Sequence, residues 1–206
     1  MEKKNYQRIL DVTLSELASE GKRPSLLLHA CCAPCGSYVI EYLSKYFDIT
    51  LLYYNPNISP VDEYERRSEE LMRLVREMEG IKNVKVAVAP YTPSEFYEIA
   101  KGHETLPEGG ERCFKCYRLR LEYSARYALE NGFDYFTTTL SISPHKNAEV
   151  LNTIGGELTE KYGVKYLFSD FKKRNGYKRS TELSEMYGLY RQDYCGCIYS
   201  KIERSR

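Results

Sequence analysis

Short runs of apolar residues alternate with longer amphipathic stretches along most of the chain. Five of these runs have the length and the composition of buried strands. They are residues 25–29, 48–54, 84–89, 133–139 and 165–168. The stretches between them space apolar residues three or four positions apart, as amphipathic helices do. Strands that alternate with helices predict an α/β protein with a mostly parallel sheet, flanking helices and right-handed crossovers.

Helix signals lie between and beyond these strands. Ser59-Pro60 and Thr92-Pro93 each combine a capping residue with a first-turn proline, whereas Gly155-Gly156 interrupts or weakens one helix. The predicted helices cover residues 6–20, 36–46, 61–79, a short segment after 93, 111–130, 147–162 and 181–187. Because no repeat or linker divides the chain, we expect one domain over 1–206, with about 170–206 as a basic, cysteine-bearing C-terminal extension.

Composition and charge narrow the possible classes of protein. A chain of 206 residues with 42% hydrophobic content has enough material for an ordinary globular core. Its formal net charge is +1, so any face for nucleic acid must come from local clustering. No apolar run reaches the ~18 residues that span a bilayer, and no secretory core is visible near the start. We therefore expect no membrane partner and a cytoplasmic location, where thiols stay reduced.

Three loops follow predicted strands and should meet at one edge of the sheet. Ligands of parallel sheets bind outside the carboxyl ends of the strands. A cysteine-rich loop follows the first strand, Asn55-Pro56-Asn57 follows the second, and Ser141–Lys146 follows the fourth. The site is therefore expected where these loops converge.

The candidate chemistry comes from seven cysteines in three clusters. The first cluster is Cys31-Cys32-Ala33-Pro34-Cys35, and the second is Cys113-Phe114-Lys115-Cys116 on a predicted helix. Spacing of i and i+3 places two sulfurs on one helical face. Four such thiolates can bind zinc or an iron–sulfur cubane. The cysteine doublet and the surplus of thiols favour iron–sulfur, whereas a zinc staple or buried reduced cysteines are the alternatives.

The third cluster, Cys195-Gly196-Cys197, has a different spacing. A disulfide across a single residue is strained and therefore easily reduced, and a central glycine permits the backbone that it needs. The pair could be a redox relay, could supply further metal ligands, or could be a chance pair in a terminal helix.

Other polar residues near these clusters are candidates for the site. His29 lies two residues before Cys31 and could support the first cluster, bind iron, donate a proton, or be a satisfied core histidine. His145 and Lys146 precede a helix, where they could meet a phosphate or lie in a solvated loop. A basic stretch with an interleaved Tyr177 suits an RNA backbone, although such runs are often only solvated faces. Its members are Lys172, Lys173, Arg174, Lys178 and Arg179.

Nucleotide-binding loops are missing from the sequence. Gly109-Gly110 has no G-x-G-x-x-G context, and no Walker loop occurs. In an ATP-pyrophosphatase a Ser-Gly-Gly loop would follow the first strand, and the first cysteine cluster occupies that place here. Metal chemistry is therefore expected in place of nucleotide chemistry.

Five motifs together resemble the QueH family of epoxyqueuosine reductases, over roughly residues 25–200. The sequence strings that carry the resemblance are LHACCAPC at 28–35, YNPNI at 54–58, RCFKCY at 112–117, TTTL with SPHKN at 137–147, and YRQDYCGC at 190–197. None of them departs from the family pattern.

The resemblance implies a HUP-like, Rossmann-like α/β domain and the last step of queuosine synthesis on tRNA. In that step epoxyqueuosine at the wobble position is reduced to queuosine. The resemblance also implies a 4Fe–4S cluster and a second, mononuclear iron. It places the cluster on Cys31, Cys32, Cys113 and Cys116, with Cys35 free to take part at the second iron. Cys195 and Cys197 would be a redox-active disulfide pair.

Reductive removal of the epoxide oxygen requires two electrons and two protons and releases water. Amino acids are poor electron donors, so a cofactor and an external electron donor must supply the electrons. Asp193, Tyr194 and His29 are the candidate acids. Two other functions remain as alternatives: a tRNA-thiolating enzyme of the ATP-pyrophosphatase type, and a zinc-stapled RNA-binding module.

Overall fold

The computed structural model of the protein describes residues 4–205. Its centre is a five-stranded parallel sheet in the order β3-β2-β1-β4-β5. The strands are β1 Ser25–His29, β2 Asp48–Tyr53, β3 Val84–Val88, β4 Tyr135–Thr138 and β5 Lys165–Tyr166. The predicted α/β class is confirmed. The order reverses between β1 and β4, which is the Rossmann-like switch point where ligands bind.

Eight helices surround this sheet within the described residues, and a 3-10 turn (Thr139–Ile142) follows β4. The helices are α1 Tyr6–Ser19, α2 Ala33–Leu43, α3 Val61–Glu77, α4 Pro93–Ala100, α5 Glu111–Glu130, α6 Ala148–Tyr162, α7 Gly176–Met186 and α8 Ile198–Arg204. The predicted bounds of α5 agree with the structure at both ends, whereas α7 begins before its predicted start.

Two helix signals behave differently from the prediction. The helix α6 is continuous through Gly155-Gly156. A Cβ at Gly155 would lie only 2.3 Å from the Tyr166 ring, so the glycine is required by packing and does not mark a break. At the start of α3, Pro60 occupies the capping position and no side chain caps the helix, so the predicted Ser59 cap is wrong.

The core has two parts, one on each face of the sheet. Alternate residues of β1 divide between them: Leu26 and Leu28 pack with α1, α2 and α3, and Leu27 packs with α5 and α6. All three leucines are fully buried. Burial of a leucine side chain is worth ~1.5–3 kcal/mol, so β1 is fixed in register from both faces.

The C-terminal segment packs on the α2 side of the sheet and against residues 58–67. Leu189 joins the core on the α2 face, and Leu183 of α7 is also buried. Further along, the Ser59 amide donates to the Gly196 carbonyl (2.9 Å), and Arg67 donates to the Cys195 carbonyl (3.3 Å). These bonds place the third cysteine cluster beside the loops of the sheet. None of the helices within residues 4–205 has the length and apolarity needed to cross a membrane.

Candidate functional site

Two of the three predicted loops line a cavity of about 300 Å³ at the carboxyl edge of the sheet. The third loop, residues 55–57, does not line it, although Asn55 donates to the Ala30 carbonyl beside the first cysteine cluster. The loop after β1 contributes Cys31 and Cys35, and the loop after β4 contributes Ser143–Lys146. The C-terminal segment closes the opposite wall with residues 191–195, which include Cys195. Three separate parts of the chain therefore line one space, with sulfur from two of them.

The first cysteine cluster is compact. Because β1 ends at His29 and α2 begins at Ala33, Cys31 and Cys32 lie in the tight turn between them, and Cys35 lies in the first helical turn. The three sulfur atoms lie within 4.8 Å of one another, with 3.7 Å between those of Cys31 and Cys32. This is the one group of at least three metal-ligating side chains found at such spacing in residues 4–205.

Hydrogen bonding within this cluster divides the three thiols. Thiol donors on Cys32 and Cys35 lower the pKa of Cys31 well below its usual value. The same hydrogen bonds favour the protonated form of the two donors. The pKa of Cys32 is raised to about 12, and the pKa of Cys35 is also raised. The Cys32 and Cys35 thiols therefore favour the thiolate form of Cys31.

The remaining four cysteines form a looser group. Cys113 and Cys116 lie on the buried face of α5, as predicted, and Cys116 packs with Cys197 and Phe96. Cys113 accepts a hydrogen bond from the Gly109 amide at 3.3 Å. Burial raises the pKa of Cys116 to about 12 and also raises that of Cys113 and Cys197. Cys195 and Cys197 are separate thiols and form no disulfide in this structure.

Lys146 lies in the wall of the cavity rather than at the protein surface. Its ammonium contacts the Glu108 carboxylate at 2.8 Å and the Cys195 sulfur at 3.1 Å. Burial alone would lower the pKa of Lys146, but Cys195, Tyr117 and Glu108 outweigh it and raise the pKa. The side chain is 7% exposed and paired with Glu108, so the predicted role at a tRNA phosphate, which stays a prediction, would require it to exchange this partner.

His29 is part of a buried polar network beneath the site. Its Nδ1 lies 2.8 Å from the Thr138 hydroxyl, and Arg120 Nε donates to its Nε2 at 3.3 Å. Burial and the Arg120 charge lower the pKa of His29 to about 3, so the ring is neutral. His29 does not line the cavity, which agrees with a supporting role and argues against the predicted role as proton donor.

The other two candidate acids do line the cavity. Asp193 is exposed at its mouth, and the Tyr194 hydroxyl donates to the Ser59 carbonyl at 3.2 Å. Burial raises the pKa of Tyr194, so its hydroxyl keeps its proton at neutral pH.

The basic residues predicted for tRNA divide into two groups. Lys172, Lys173, Arg174 and His145 line a second, open cleft of about 910 Å³ beside the cavity, together with Lys4 and Arg8. Lys178 and Arg179 do not line this cleft, because both lie on α7. Arg179 is engaged by Glu41 at 2.6 and 3.0 Å, so its charge is already paired.

Three buried arginines were missed from the sequence, namely Arg67, Arg112 and Arg120. A charged residue on a helix is usually solvated, so its type gave no reason to place it inside. The signal was positional: Arg112 and Arg120 lie on the same buried face of α5 as Cys113 and Cys116.

The residues present fit an iron–sulfur group. Every grouped metal donor in the first cluster is a thiol, a soft ligand that suits iron–sulfur clusters and zinc and not magnesium or calcium. Arg120 lines the cavity with Cys31 and Cys35 of the first group and Cys195 of the second, so the two cysteine groups border one region. The buried cations there match a cluster that carries net negative charge.

Comparison with known proteins agrees with this geometry. The family model described as Epoxyqueuosine reductase QueH matches residues 26–203. A protein of that name from Streptococcus pyogenes serotype M1 is 45% identical over 201 residues, which cover 97% of this chain and 79% of its own. The Staphylococcus epidermidis protein is 42% identical, covering 98% and 87%. The Thermotoga maritima protein is 37% identical, covering 87% and 92%.

One solved structure overlaps partly with the fold. It is the U34-tRNA thiolase NcsA from Methanococcus maripaludis with its 4Fe–4S cluster, at 18% identity and a TM-score of 0.48, covering 95% of this chain and 67% of that one. Nothing about the present site follows from so distant a likeness. The family match and the relatives settle the assignment: this chain belongs to the QueH family of epoxyqueuosine reductases.

Proposed function

We propose that this protein reduces epoxyqueuosine to queuosine at the wobble position of tRNA, the last step of queuosine biosynthesis. The observation that carries the proposal is the match to the epoxyqueuosine reductase family over residues 26–203. The site supports it, because sulfur ligands border a cavity large enough for a small organic group. The two alternatives, ATP-dependent thiolation and zinc-stapled RNA binding, gain no support from that match.

A 4Fe–4S cluster held by Cys31, Cys32, Cys113 and Cys116 is the cofactor that we infer. Two of these thiols come from the compact cluster after β1 and two from the buried face of α5. Cys35, which also lines the cavity, is the thiol left for a second, mononuclear iron. Bound in this way, the iron centres would supply the electrons for reduction and a Lewis acid for the epoxide oxygen.

The cavity dictates how the substrate must enter. A space of about 300 Å³ admits one nucleoside and not a paired stem. The modified base therefore leaves the anticodon stack and enters between the Ser143–Lys146 loop and residues 191–195.

Groups in the wall of the cavity hold the protons that the reaction consumes. Lys146 is a charged ammonium 3.1 Å from Cys195, and it carries a proton, as the Tyr194 hydroxyl does. Its position beside both Glu108 and the cavity makes it a further candidate to protonate the departing oxygen, in addition to the predicted Asp193 and Tyr194.

The open basic cleft is the surface that we assign to the tRNA backbone. It shares Pro144, His145 and Lys146 with the cavity, so a strand could continue from one to the other. Lys173 and Arg8 are exposed, which leaves their charges accessible to phosphates. Lys172 and Arg174 are paired with Asp170 and Asp11 and would have to exchange these partners.

Cys195 and Cys197 are proposed as a redox-active pair that receives electrons from an external donor. The glycine between them has a φ of +117°, a backbone conformation that only glycine adopts readily. A cytoplasmic location, which would supply such a donor, stays a prediction.

The experiment that tests this function uses tRNA that carries epoxyqueuosine. The anaerobic protein is incubated with this tRNA and dithionite, and the nucleosides are then separated and weighed by mass spectrometry. We expect queuosine to replace epoxyqueuosine without added ATP. An unchanged epoxyqueuosine peak with cluster-loaded protein would overturn the proposal, and a sulfur-containing product that requires ATP would favour the thiolating alternative.

A further inference from the structure

Arg120 is a buried cation that has no carboxylate partner. It is 2% exposed, and no carboxylate among residues 4–205 forms an ion pair with it at 4.0 Å or less. It lines the cavity together with Cys31, Cys35 and Cys195. A guanidinium this far from water requires a negative partner, and in this protein the available partners are sulfur atoms.

Hydrogen bonds fix the guanidinium between the two cysteine groups. Nε donates to His29, and a terminal nitrogen donates to the Asn55 side-chain oxygen at 2.6 Å. Asn55 in turn donates to the Ala30 carbonyl at 2.9 Å, one residue before Cys31. Arg120 also lies one helical turn after Cys116 on α5. It thus connects the strand that precedes the first cluster with the helix that carries the second.

The other two buried arginines have partners that account for their burial. Arg67 is paired with the Glu63 carboxylate at 2.7 Å. Arg112 donates to the carbonyls of His103 and Glu104 at 3.2 and 2.8 Å and lies over the Tyr199 ring. Arg120 alone among these three faces thiols without a carboxylate or a carbonyl cradle, so packing and loop anchoring do not explain its charge.

We propose that Arg120 is a positioning residue whose fixed positive charge sets the reduction potential of the iron–sulfur site. Reduction adds negative charge to the region between Cys31 and Cys116, and a nearby cation in a water-poor interior favours the more negative state. The proposal rests on the cofactor inferred under the proposed function. It assigns Arg120 to electron transfer, and because Arg120 also lines the cavity, the test measures the reduction potential and not turnover.

The test compares the midpoint potential of the wild-type holoprotein with that of Arg120→Gln, Arg120→Lys and Arg118→Gln, all purified anaerobically. Glutamine keeps a hydrogen-bonding side chain and removes the charge, and lysine keeps the charge and changes the geometry. Arg118→Gln is the matched control, because it removes one positive charge from the same helix at an exposed position. Iron and sulfide per chain are measured on each sample.

We expect Arg120→Gln to lower the ratio of reduced to oxidised cluster about tenfold at a fixed applied potential, which is ~59 mV for a one-electron couple. Arg120→Lys should stay closer to the wild type, and Arg118→Gln should match it. Loss of iron in Arg120→Gln but not in Arg120→Lys would also support a requirement for charge.

Two results would overturn the proposal. A fully loaded Arg120→Gln protein with the wild-type potential would make the residue a structural brace only. Equal loss of iron in Arg120→Gln and Arg120→Lys would show that guanidinium geometry matters and charge does not. A wild-type protein that contains zinc and no sulfide would instead overturn the inferred cofactor. A cluster-loaded wild-type protein that leaves epoxyqueuosine in tRNA unchanged would overturn the proposed function. In that second case the measured potentials would still decide the role of Arg120.

Discussion

The two cysteine groups of this protein differ in how they are held. The three sulfurs after β1 lie within 4.8 Å of one another on a five-residue segment. The four sulfurs from α5 and the C-terminal segment have separate surroundings, which include the Gly109 amide, the Lys146 ammonium and an apolar contact with Phe96. The first group depends on a local turn, whereas the second depends on the docking of two distant segments.

This difference indicates how the site assembles. A strand-to-helix turn gathers the first three thiols as soon as β1 and α2 form, because chain connectivity brings them together. Cys113 and Cys116 reach the site only when α5 packs on the sheet, and Cys195 and Cys197 only when the C-terminal segment packs against residues 58–67, through bonds such as Ser59 to Gly196. The second group should therefore be the more sensitive to mutations far from the metal.

The largest effect is expected from removing a sulfur of the second group. We predict that Cys113→Ala lowers turnover at least ~100-fold, because a cluster ligand has a larger effect than its supporting partners. Iron and sulfide per chain should fall together with turnover. The tRNA affinity should stay within about twofold of the wild type, because Cys113 is buried and lies away from the basic cleft. Retention of full activity in this variant would exclude Cys113 as a ligand.

A backbone change in the C-terminal segment should come next. Gly196 has a φ of +117°, and a Cβ there would lie 3.0 Å from Arg67 and from Ile58. We predict that Gly196→Ala destabilises the protein by ~1–3 kcal/mol, measured by denaturant unfolding, and loosens the Cys195 region.

Gly188→Ala is the matched control for that variant. Gly188 also has a positive φ, but a Cβ added there would have no atom of residues 4–205 within 4 Å beyond its own chain neighbours. Gly188→Ala should lower the free energy of unfolding by only the backbone penalty of ~1–2 kcal/mol, and its iron content should match that of the wild type. Equal loss of iron in both variants would show that the second group does not depend on the close contact at Gly196.

Much of the fold could be predicted from periodicity, and the failures have physical causes. All five strands were found, because buried parallel strands are short continuous apolar runs. The predicted break at Gly155 was wrong. The sequence does not distinguish a glycine that is required by close packing against an aromatic ring from a glycine that ends a helix. The predicted Ser59 cap was wrong because α3 begins one residue later than a Ser59 cap requires, with Pro60 at the capping position.

A smaller effect is expected in the basic cleft. We predict that Lys173→Ala weakens tRNA binding by a few-fold and reduces the slope of log affinity against log salt by ~1, because one phosphate contact is lost. Lys85→Ala is the control, since Lys85 is also exposed but lies on β3 at the far side of the sheet. An unchanged slope for Lys173→Ala would remove this residue from the tRNA surface.

The last prediction concerns the charge within the first group and involves metal-free protein only. The pKa of Cys31 is lowered by its thiol neighbours and that of Cys35 is raised, although both line the cavity. Only thiolates are alkylated, so at pH 7 metal-free protein should react at Cys31 at least ~10-fold faster than at Cys35. The difference should narrow as the pH rises and Cys35 loses its proton. Equal rates at pH 7 would contradict a shared charge within the cluster.

The site was predicted better by residue type than by position. The cysteines were recognised because thiols at such spacing have few purposes. Lys146 and Arg120 were misplaced or missed because a cation in a sequence carries no mark of burial, and only the fold turns Lys146 towards Cys195. The sequence left the role of His29 open, and the structure shows its ring buried against Arg120.

The most direct test of an iron–sulfur reductase is the metal content of the protein after anaerobic, iron-replete expression. Iron, zinc and acid-labile sulfide are measured on one sample, together with the visible spectrum before and after dithionite. We predict a brown protein that bleaches on reduction and contains iron in excess of sulfide, as a cubane with an additional iron requires. A colourless protein with stoichiometric zinc and no sulfide would contradict the assignment of these seven cysteines to redox chemistry.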